Sequence, residues 1–430
     1  MQSAKAEAFD WKSLFSIKVA SAATAATLTI AGVTAFSISK SVTDSDRVIL
    51  GVKSEGIEIS GLSETGTRKH FEKLAAEKSR PLKFSYGEQT FSITPEEINL
   101  KANIDDATNQ AFNYGRSSNS AVTNMEDQIK CALNGRNVVL TANYDENLLN
   151  EKLNAIAAQV NRQPVNAYCT LDSNGNVQKF AGIIGKKLDT EKIAASLKDP
   201  LTKLKLPNNI ELTPEDILPY VTTEDVLPID TILGQYSTSF SWGARGDNIA
   251  LAADALNDKL VKPSWTFSFN TTVGERTYSA GYQNAGVIIN GRPDIDVGGG
   301  VCQVSSTLYN AVLLAGLTPT ERVAHYAPST YIAPGRDATV ADGQLDFKFR
   351  NDLAHNVYLL SSTYGSTLTV YVLGTRADLN GASIHLETEG SYMSPSLYRV
   401  YSKDGQVIKD EFLHTDIYDE LKPARNQDQN

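Results

Sequence analysis

The sequence predicts an α+β chain: an N-terminal transmembrane helix, two small α+β modules, a larger α+β domain and a short β C-terminal extension. Three observations carry this. An uncharged stretch runs from Val19 to Ser39, a Thr-Pro-acid-acid-Ile motif occurs twice, 119 residues apart, and three glycines lead into a cysteine at the head of a helical pattern. With 430 residues, 41% of them hydrophobic and 21% charged, the chain can fill several cores.

Lys5, Lys12 and Lys18 precede 21 uncharged residues, enough to cross a bilayer as a helix. Lysines on that side favour an inside N-terminus. Residues 1–18 therefore read as cytoplasmic, 19–39 as a single-pass signal anchor in the cell membrane, and about 390 residues as extracellular. The stretch is rich in Ala and Thr, and "TAFS" offers small residues for cleavage, so a removed signal peptide is the alternative. A buried Ala-rich helix is the third reading. Disulfides are allowed outside a cell, which makes Cys131 and Cys169, 38 residues apart, candidates to pair and leaves Cys302 over.

The modules are placed at 48–126 and 127–228. In "SITPEEINL" and "ELTPEDILP", Thr94 or Thr213 would cap a helix, Pro95 or Pro214 would fill its first turn, and Glu97 or Asp216 would complete a capping box. Ser63 and Asp189 cap two further helical patterns, with Phe71 and Leu74, or Ile193 and Leu197, on the buried faces. Alternation around Gly87 and around Asn174-Gly175 predicts two hairpins.

Residues 236–376 form the larger domain. Apolar residues at 249, 253, 256 and 260 predict a helix. "WTFSFNTTVG" and "LDFKFRN" read as strands, and "NVYLLSSTYGSTLTVYVLG" as a hairpin about Gly365. The β extension and a polar tail occupy 377–430. Net charge is −10, which argues against a general nucleic-acid binder.

In "DVGGGVCQVSSTLYNAVLLAGL", Gly298, Gly299 and Gly300 admit positive φ and close approach, and apolar spacing predicts a helix from Cys302 to Ala315. A thiol in a first helical turn meets free N–H groups and the positive end of the dipole, which favour its thiolate, the nucleophilic form. The other reading of Cys302 is a small buried hydrophobe. A nucleophilic thiol needs a base. Of the five histidines, His325 follows Cys302 by 23 residues and ends a short apolar run before Pro328, with Asp337 and Asp342 downstream. A structural histidine bonded to backbone is the alternative. The amides from Gly300 to Gln303 could hold an oxyanion. Gln303, Ser305, Ser306 and Asp337 could add polar contacts to a substrate, and Ser305 and Ser306 could instead cap the helix. No Cys/His cluster has metal-ligand spacing, the glycine run lacks the Lys-Ser/Thr of a phosphate loop, and no cofactor is indicated.

From "YSTSF" through "DVGGGVCQVSSTLYNAVLLAGL" to "ERVAHYAPSTYIAPGRDATV" and "LDFKFRN", the sequence resembles a VanW domain, over about Tyr236 to Thr375. "AFNYGRSSN" and its surroundings, about 48 to 228, resemble a YoaR-like peptidoglycan-binding domain. The VanW family is named from glycopeptide-resistance gene clusters, and some relatives are linked to L,D-transpeptidation. The resemblance implies cell-wall work, with peptidoglycan stem peptides and glycan as partners, Cys302 as nucleophile and His325 as base. Tyr326 stands where relatives often carry serine. Three functions follow in order: a cysteine L,D-transpeptidase forming 3-3 cross-links, a non-catalytic peptidoglycan or precursor binder, and a hydrolase with the same dyad.

Overall fold

The computed structural model describes residues 11–289 and 291–423, with the side chains of residues 11–23 and Ala26 outside the description. The chain packs as two units. One comprises the residues up to Arg162 together with Lys186–Asp216. The other comprises Gln163–Gly185 and the chain from Ile217 onward.

In the first unit the backbone is helical over Trp11–Thr43, which includes the whole expected anchor. Among the described residues, however, no helix is long and apolar enough to cross a membrane. The described part of the segment is short, and it interrupts Leu28, Ile30, Val33, Phe36 and Ile38 with Thr27, Thr29, Thr34 and Ser37. The expected anchor is thus a helix to which no span is assigned. Residues 1–10, expected to be cytoplasmic, lie outside the described residues.

Ser63 caps helix Glu64–Lys78 by accepting the Gly66 N–H at 3.1 Å, and Asp189 caps helix Thr190–Thr202 by accepting the Lys192 N–H at 2.9 Å. Phe71 and Leu197 are buried beneath these helices. Strands Leu82–Tyr86 and Gln89–Ile93 form the hairpin predicted around Gly87. The two Thr-Pro motifs diverge. At the first, the Glu97 carboxylate accepts the Thr94 N–H at 2.8 Å and a 3₁₀ turn forms over Glu96–Ile98. At the second, the helix expected from Thr213 is replaced by strand Glu215–Ile217, and Asp216 pairs with Lys186 instead of closing a capping box.

The modules expected at 48–126 and 127–228 are interleaved rather than serial. Ile210–Glu211 runs parallel to Phe84–Ser85, and one core mixes Phe84, Ile93 and Ile98 with Leu149, Leu153, Leu197 and Leu201. The boundary at 126/127 falls within helix Ala121–Asn134. Each stretch thus completes the other's core.

The second unit is built on a four-stranded antiparallel sheet in the order Thr231–Ser239, Thr367–Gly374, Val357–Tyr364, Lys259–Val261. Helix Val301–Leu314 crosses it. At Gly234 a Cβ would stand 2.3 Å from the Ala311 carbonyl oxygen, so only glycine lets helix and strand come this close. Helix Ala244–Leu256 buries Ile249, Ala253 and Leu256. Leu260, predicted as its next apolar position, lies in strand Lys259–Val261 because Asp258 turns the chain with φ 58°. "WTFSFNTTVG" is a strand only over Thr266–Ser268. The Ser268 hydroxyl then accepts the Thr271 N–H at 3.1 Å and starts helix Phe269–Val273. Ser383–Ser391, Ser394–Lys403 and Gln406–Thr415 form the β extension as one antiparallel sheet. The hairpin about Asn174-Gly175, strands Tyr168–Leu171 and Val177–Phe180, also belongs to this unit. Cys131 and Cys169 do not pair: both are free and buried, each in the core of a different unit.

Candidate active site

The start of helix Val301–Leu314 is shaped by its glycines. Gly298 and Gly300 have φ of 79° and 108°, a region L-residues rarely enter. A Cβ at Gly299 would lie 2.6 Å from the Ala285 carbonyl oxygen, and one at Gly298 2.7 Å from Arg276 Cβ. The run therefore admits neighbouring parts of the protein, namely strand Asn284–Ile289 and Arg276. The buried Asn248 amide clamps it by donating to the Gly299 oxygen at 3.0 Å and to the Gln283 oxygen at 2.8 Å. Among the four amides from Gly300 to Gln303, Val301 donates to Gly298 and Gln303 to Gly300. Those of Gly300 and Cys302 have no backbone acceptor among the described residues.

Cys302 is the one residue from Val301 to Leu313 that is not buried. Its Sγ lies 3.4 Å from the Val340 carbonyl oxygen and 3.5 Å from the Val340 nitrogen. Burial pushes the thiol up, but the hydrogen bond and charge of His325, the Val340 amide and the Arg276 charge together hold it below the ordinary thiol value. His325 Nδ1 lies 2.6 Å from Asp337 Oδ2, which also accepts the His325 backbone N–H at 2.6 Å. With Nδ1 turned to the carboxylate, Nε2 is left for the thiol. Burial pulls the imidazole down, yet the Asp337 hydrogen bond and then Cys302 raise it to about 9. Asp337 is only 1% exposed. Burial raises its carboxyl, but His325, then Arg322 and Tyr418, hold it below the usual range. The arrangement favours a thiolate beside an imidazolium, with a buried carboxylate behind.

Gln303, Ser305 and Ser306, expected near a substrate, are buried and fasten the helix to its surroundings. The Ser305 hydroxyl donates to the Ala338 oxygen at 2.6 Å. That of Ser306 donates to the Cys302 oxygen at 2.7 Å and accepts the Ala338 N–H at 2.9 Å. The Gln303 amide donates to the Ser239 oxygen at 2.8 Å and accepts from Arg245 at 2.9 Å. The two serines tie the residue after Asp337 to the turn that carries the thiol, so they fix the spacing of nucleophile and carboxylate. Tyr326 lays its ring on Gly291, where a Cβ would stand 2.5 Å away. Three further histidines have acidic or phenolic partners: His355 with Asp378 at 2.8 Å, His385 with Glu387 at 2.9 Å, and His414 with Tyr309 at 2.8 Å. Among the described residues no group of His, Cys, Asp and Glu is placed to hold a metal ion.

Sequence reasoning missed the support behind Asp337. Arg322 grips Asp416 with both guanidinium nitrogens, at 2.5 and 2.7 Å, and its Nε donates to the Asp337 carbonyl oxygen at 2.6 Å. Tyr418 donates its hydroxyl to Asp337 Oδ1. Asp416 and Tyr418 follow the last strand of the extension, and no motif or spacing in the sequence links them to position 337.

Fold and site together define an α+β domain with a Cys–His–Asp constellation at the start of a buried helix. The chain belongs to the VanW-like family. Residues 244–373 match the family described as "VanW like protein", and residues 91–208 match the one described as "Putative peptidoglycan binding domain". The chain is 38% identical over 215 residues to the "Uncharacterized protein YoaR" of Bacillus subtilis (strain 168), covering 49% of this chain and 69% of that one. It is 34% identical over 146 residues to the "Vancomycin B-type resistance protein VanW" of Enterococcus faecalis (strain ATCC 700802 / V583), covering 32% of this chain and 52% of that one. No solved structure matches it. The VanW match contains Cys302, His325 and Asp337 and ends before Asp416 and Tyr418. The other match runs across the expected boundary at 126/127, in keeping with the interleaved core.

Proposed function

We propose that the protein works on peptidoglycan as a cysteine acyltransferase, an L,D-transpeptidase that forms 3-3 cross-links between stem peptides. One observation carries this: the only residue of Val301–Leu313 that is not buried is a thiol of lowered pKa whose histidine is backed by a buried carboxylate. The thiolate attacks a stem-peptide carbonyl, and the Cys302 and Gly300 amides receive the developing oxyanion. The imidazolium of His325 gives its proton to the leaving amine. The neutral imidazole then takes a proton from the acceptor amine, which attacks the thioester and frees the thiolate beside the restored imidazolium. Asp337 keeps Nδ1 protonated and Nε2 facing the reaction throughout, as the carboxylate of a Ser–His–Asp triad does.

The match over 91–208 supports a second role, retention on peptidoglycan by the first unit, which carries no comparable thiol and base. Helix Trp11–Thr43 exposes Leu28, Ile30 and Val33 at 61–69%, and these apolar side chains support attachment to the cell membrane, with the remainder of the chain outside. The deciding experiment is muropeptide analysis of cells that lack other 3-3 cross-linkers and express wild type or Cys302→Ala. Cross-links with wild type alone establish the transferase. Shortened stems without cross-links mean that water is the acceptor. Identical profiles from the two, with binding to isolated sacculi retained by both, leave a binding protein.

A further inference from the structure

The carboxylate behind His325 is completed from outside the family match. Asp337 Oδ2 accepts twice from His325. Oδ1 accepts from the Tyr418 hydroxyl and, at 3.3 Å, from Arg322. The phenol is itself fixed, since it accepts the Gly335 N–H at 2.8 Å, and Tyr418 is 4% exposed. The segment that carries it is tied to the residues around His325 and to the turn at Gly291. Asp416 is gripped by Arg322, the Asp419 N–H donates to the Tyr326 oxygen at 2.8 Å, and the Lys422 N–H donates to the Gly291 oxygen at 2.9 Å. A carboxylate held at all four of its acceptor positions cannot turn away from Nδ1. One that loses its Oδ1 donor can rotate, and it becomes easier to protonate.

We infer that Tyr418 is a positioning residue for this site, acting through Asp337 to keep His325 charged and aimed at the thiol. The inference rests on the Cys–His–Asp reading but does not need the reaction to be transpeptidation. Several titratable or charged groups face Asp337. His325, Arg322 and Tyr331 come from the loop that precedes it, Cys302 and Tyr309 from the helix, and Asp416 and Tyr418 from the C-terminal segment. Of these only Tyr418 and Arg322 donate to Oδ1, and Arg322 keeps its Asp416 partner when the phenol is removed.

The test is the pH dependence of Cys302 alkylation by iodoacetamide in the full-length protein, read peptide by peptide and compared between wild type, Tyr418→Phe and Asp337→Asn. Phenylalanine keeps the ring in place and removes the hydroxyl, which is both the donor to Asp337 and the acceptor of the Gly335 N–H. The expected result is a folded variant, melting somewhat lower because the Gly335 N–H loses its acceptor, with the half-point of labelling raised by about one pH unit, so that about tenfold less thiolate is present below it. Asp337→Asn should raise it further. If Tyr418→Phe labels like wild type while Asp337→Asn does not, Tyr418 merely packs and the inference is overturned. If Asp337→Asn also labels like wild type, it is the Cys–His–Asp reading that fails. Should Tyr418→Phe not fold, 3-fluorotyrosine at position 418 keeps ring and hydroxyl and changes the acidity of the donor. A displaced half-point then supports the inference and an unmoved one overturns it.

Discussion

The first unit closes on Phe71, Phe84, Leu149 and Leu153, all at most 1% exposed, whereas the second buries Gln303, Ser305, Ser306, Thr307 and Asn310 within a single helix at the same depth. Burying apolar surface is favourable in nearly any arrangement of about the right volume. Burying amides and hydroxyls is tolerable only where each finds a partner, so it accepts very few arrangements. Most polar side chains of helix Val301–Leu314 do find partners: Thr307 bonds Thr238 at 2.8 Å and the Asn310 amide nitrogen donates to the Arg336 oxygen at 2.6 Å, although the buried Asn310 Oδ1 accepts from no group among the described residues. Both units have an apolar core, and the second adds within one helix the buried polar contacts that hold a thiol, an imidazole and a carboxylate in fixed relation.

The comparison is sharpest between Cys131 of the first unit and Cys302 of the second, with Cys169 as a buried thiol of the second unit lying away from the site. Burial pushes the Cys131 thiol up and carries that of Cys169 to about 11, whereas Cys302 is lowered. At pH 7 iodoacetamide should label Cys302 faster than either of the others, and at least about a hundredfold faster than Cys169, since each pH unit in half-point is tenfold in thiolate. Comparable rates at native pH would dissolve the contrast. The next largest effect is on stability. Phe71→Ala should cost about 3–5 kcal/mol in denaturant unfolding of the first unit while leaving the labelling half-point of Cys302 where it is. A half-point that moved would show that the apolar unit also sets the site.

His325→Ala removes the charge that holds the thiolate, so the half-point should climb towards the ordinary value of about 8.5. The carboxylate has its own signature. Asp337 titrates below its ordinary value of about 3.9, so its contribution to stability is present above that pH and is lost as the pH falls through the lower folded-state value. Acid unfolding of Asp337→Asn should lack this component, and a variant curve that overlays wild type below pH 4 would refute the assignment. The smallest effect separates buried from exposed hydroxyls. Ser306→Ala strands the Ala338 N–H and should cost about 1–3 kcal/mol. Ser196→Ala, on an exposed helix of the first unit, should stay within about 0.5 kcal/mol.

Local chemistry was legible in the sequence wherever it was self-contained. The caps at Ser63 and Asp189, the turns at Gly87 and Gly365, and the helix after Gly300 each depend on a few adjacent residues, and the structure has them at those places. The Thr-Pro copies show the limit. Identical local signals become a 3₁₀ turn at one site and a strand at the other, because the second pairs with Lys186 and the first does not. At the site, Cys302 and His325 could be read from a helix start and an element end. Asp337 was expected to contact a substrate, since only the fold reveals that its carboxylate is buried and meets His325 Nδ1. Gln303, Ser305 and Ser306 looked like ligands because polar residues beside a nucleophile usually face a substrate, and only packing shows that they face inward.

The order in which the chain is made gives the C-terminal segment one more meaning. Translation delivers Cys302, His325 and Asp337 in turn, and Tyr418 only 81 residues after the carboxylate it holds. The earlier parts of the second unit can collapse around their sheet before that phenol exists. A growing chain then carries a thiol with an unsteadied base, and the nucleophile reaches full strength only as the last strand and the residues after it dock. Docking of this segment would itself act as the safety catch on a reactive sulfur.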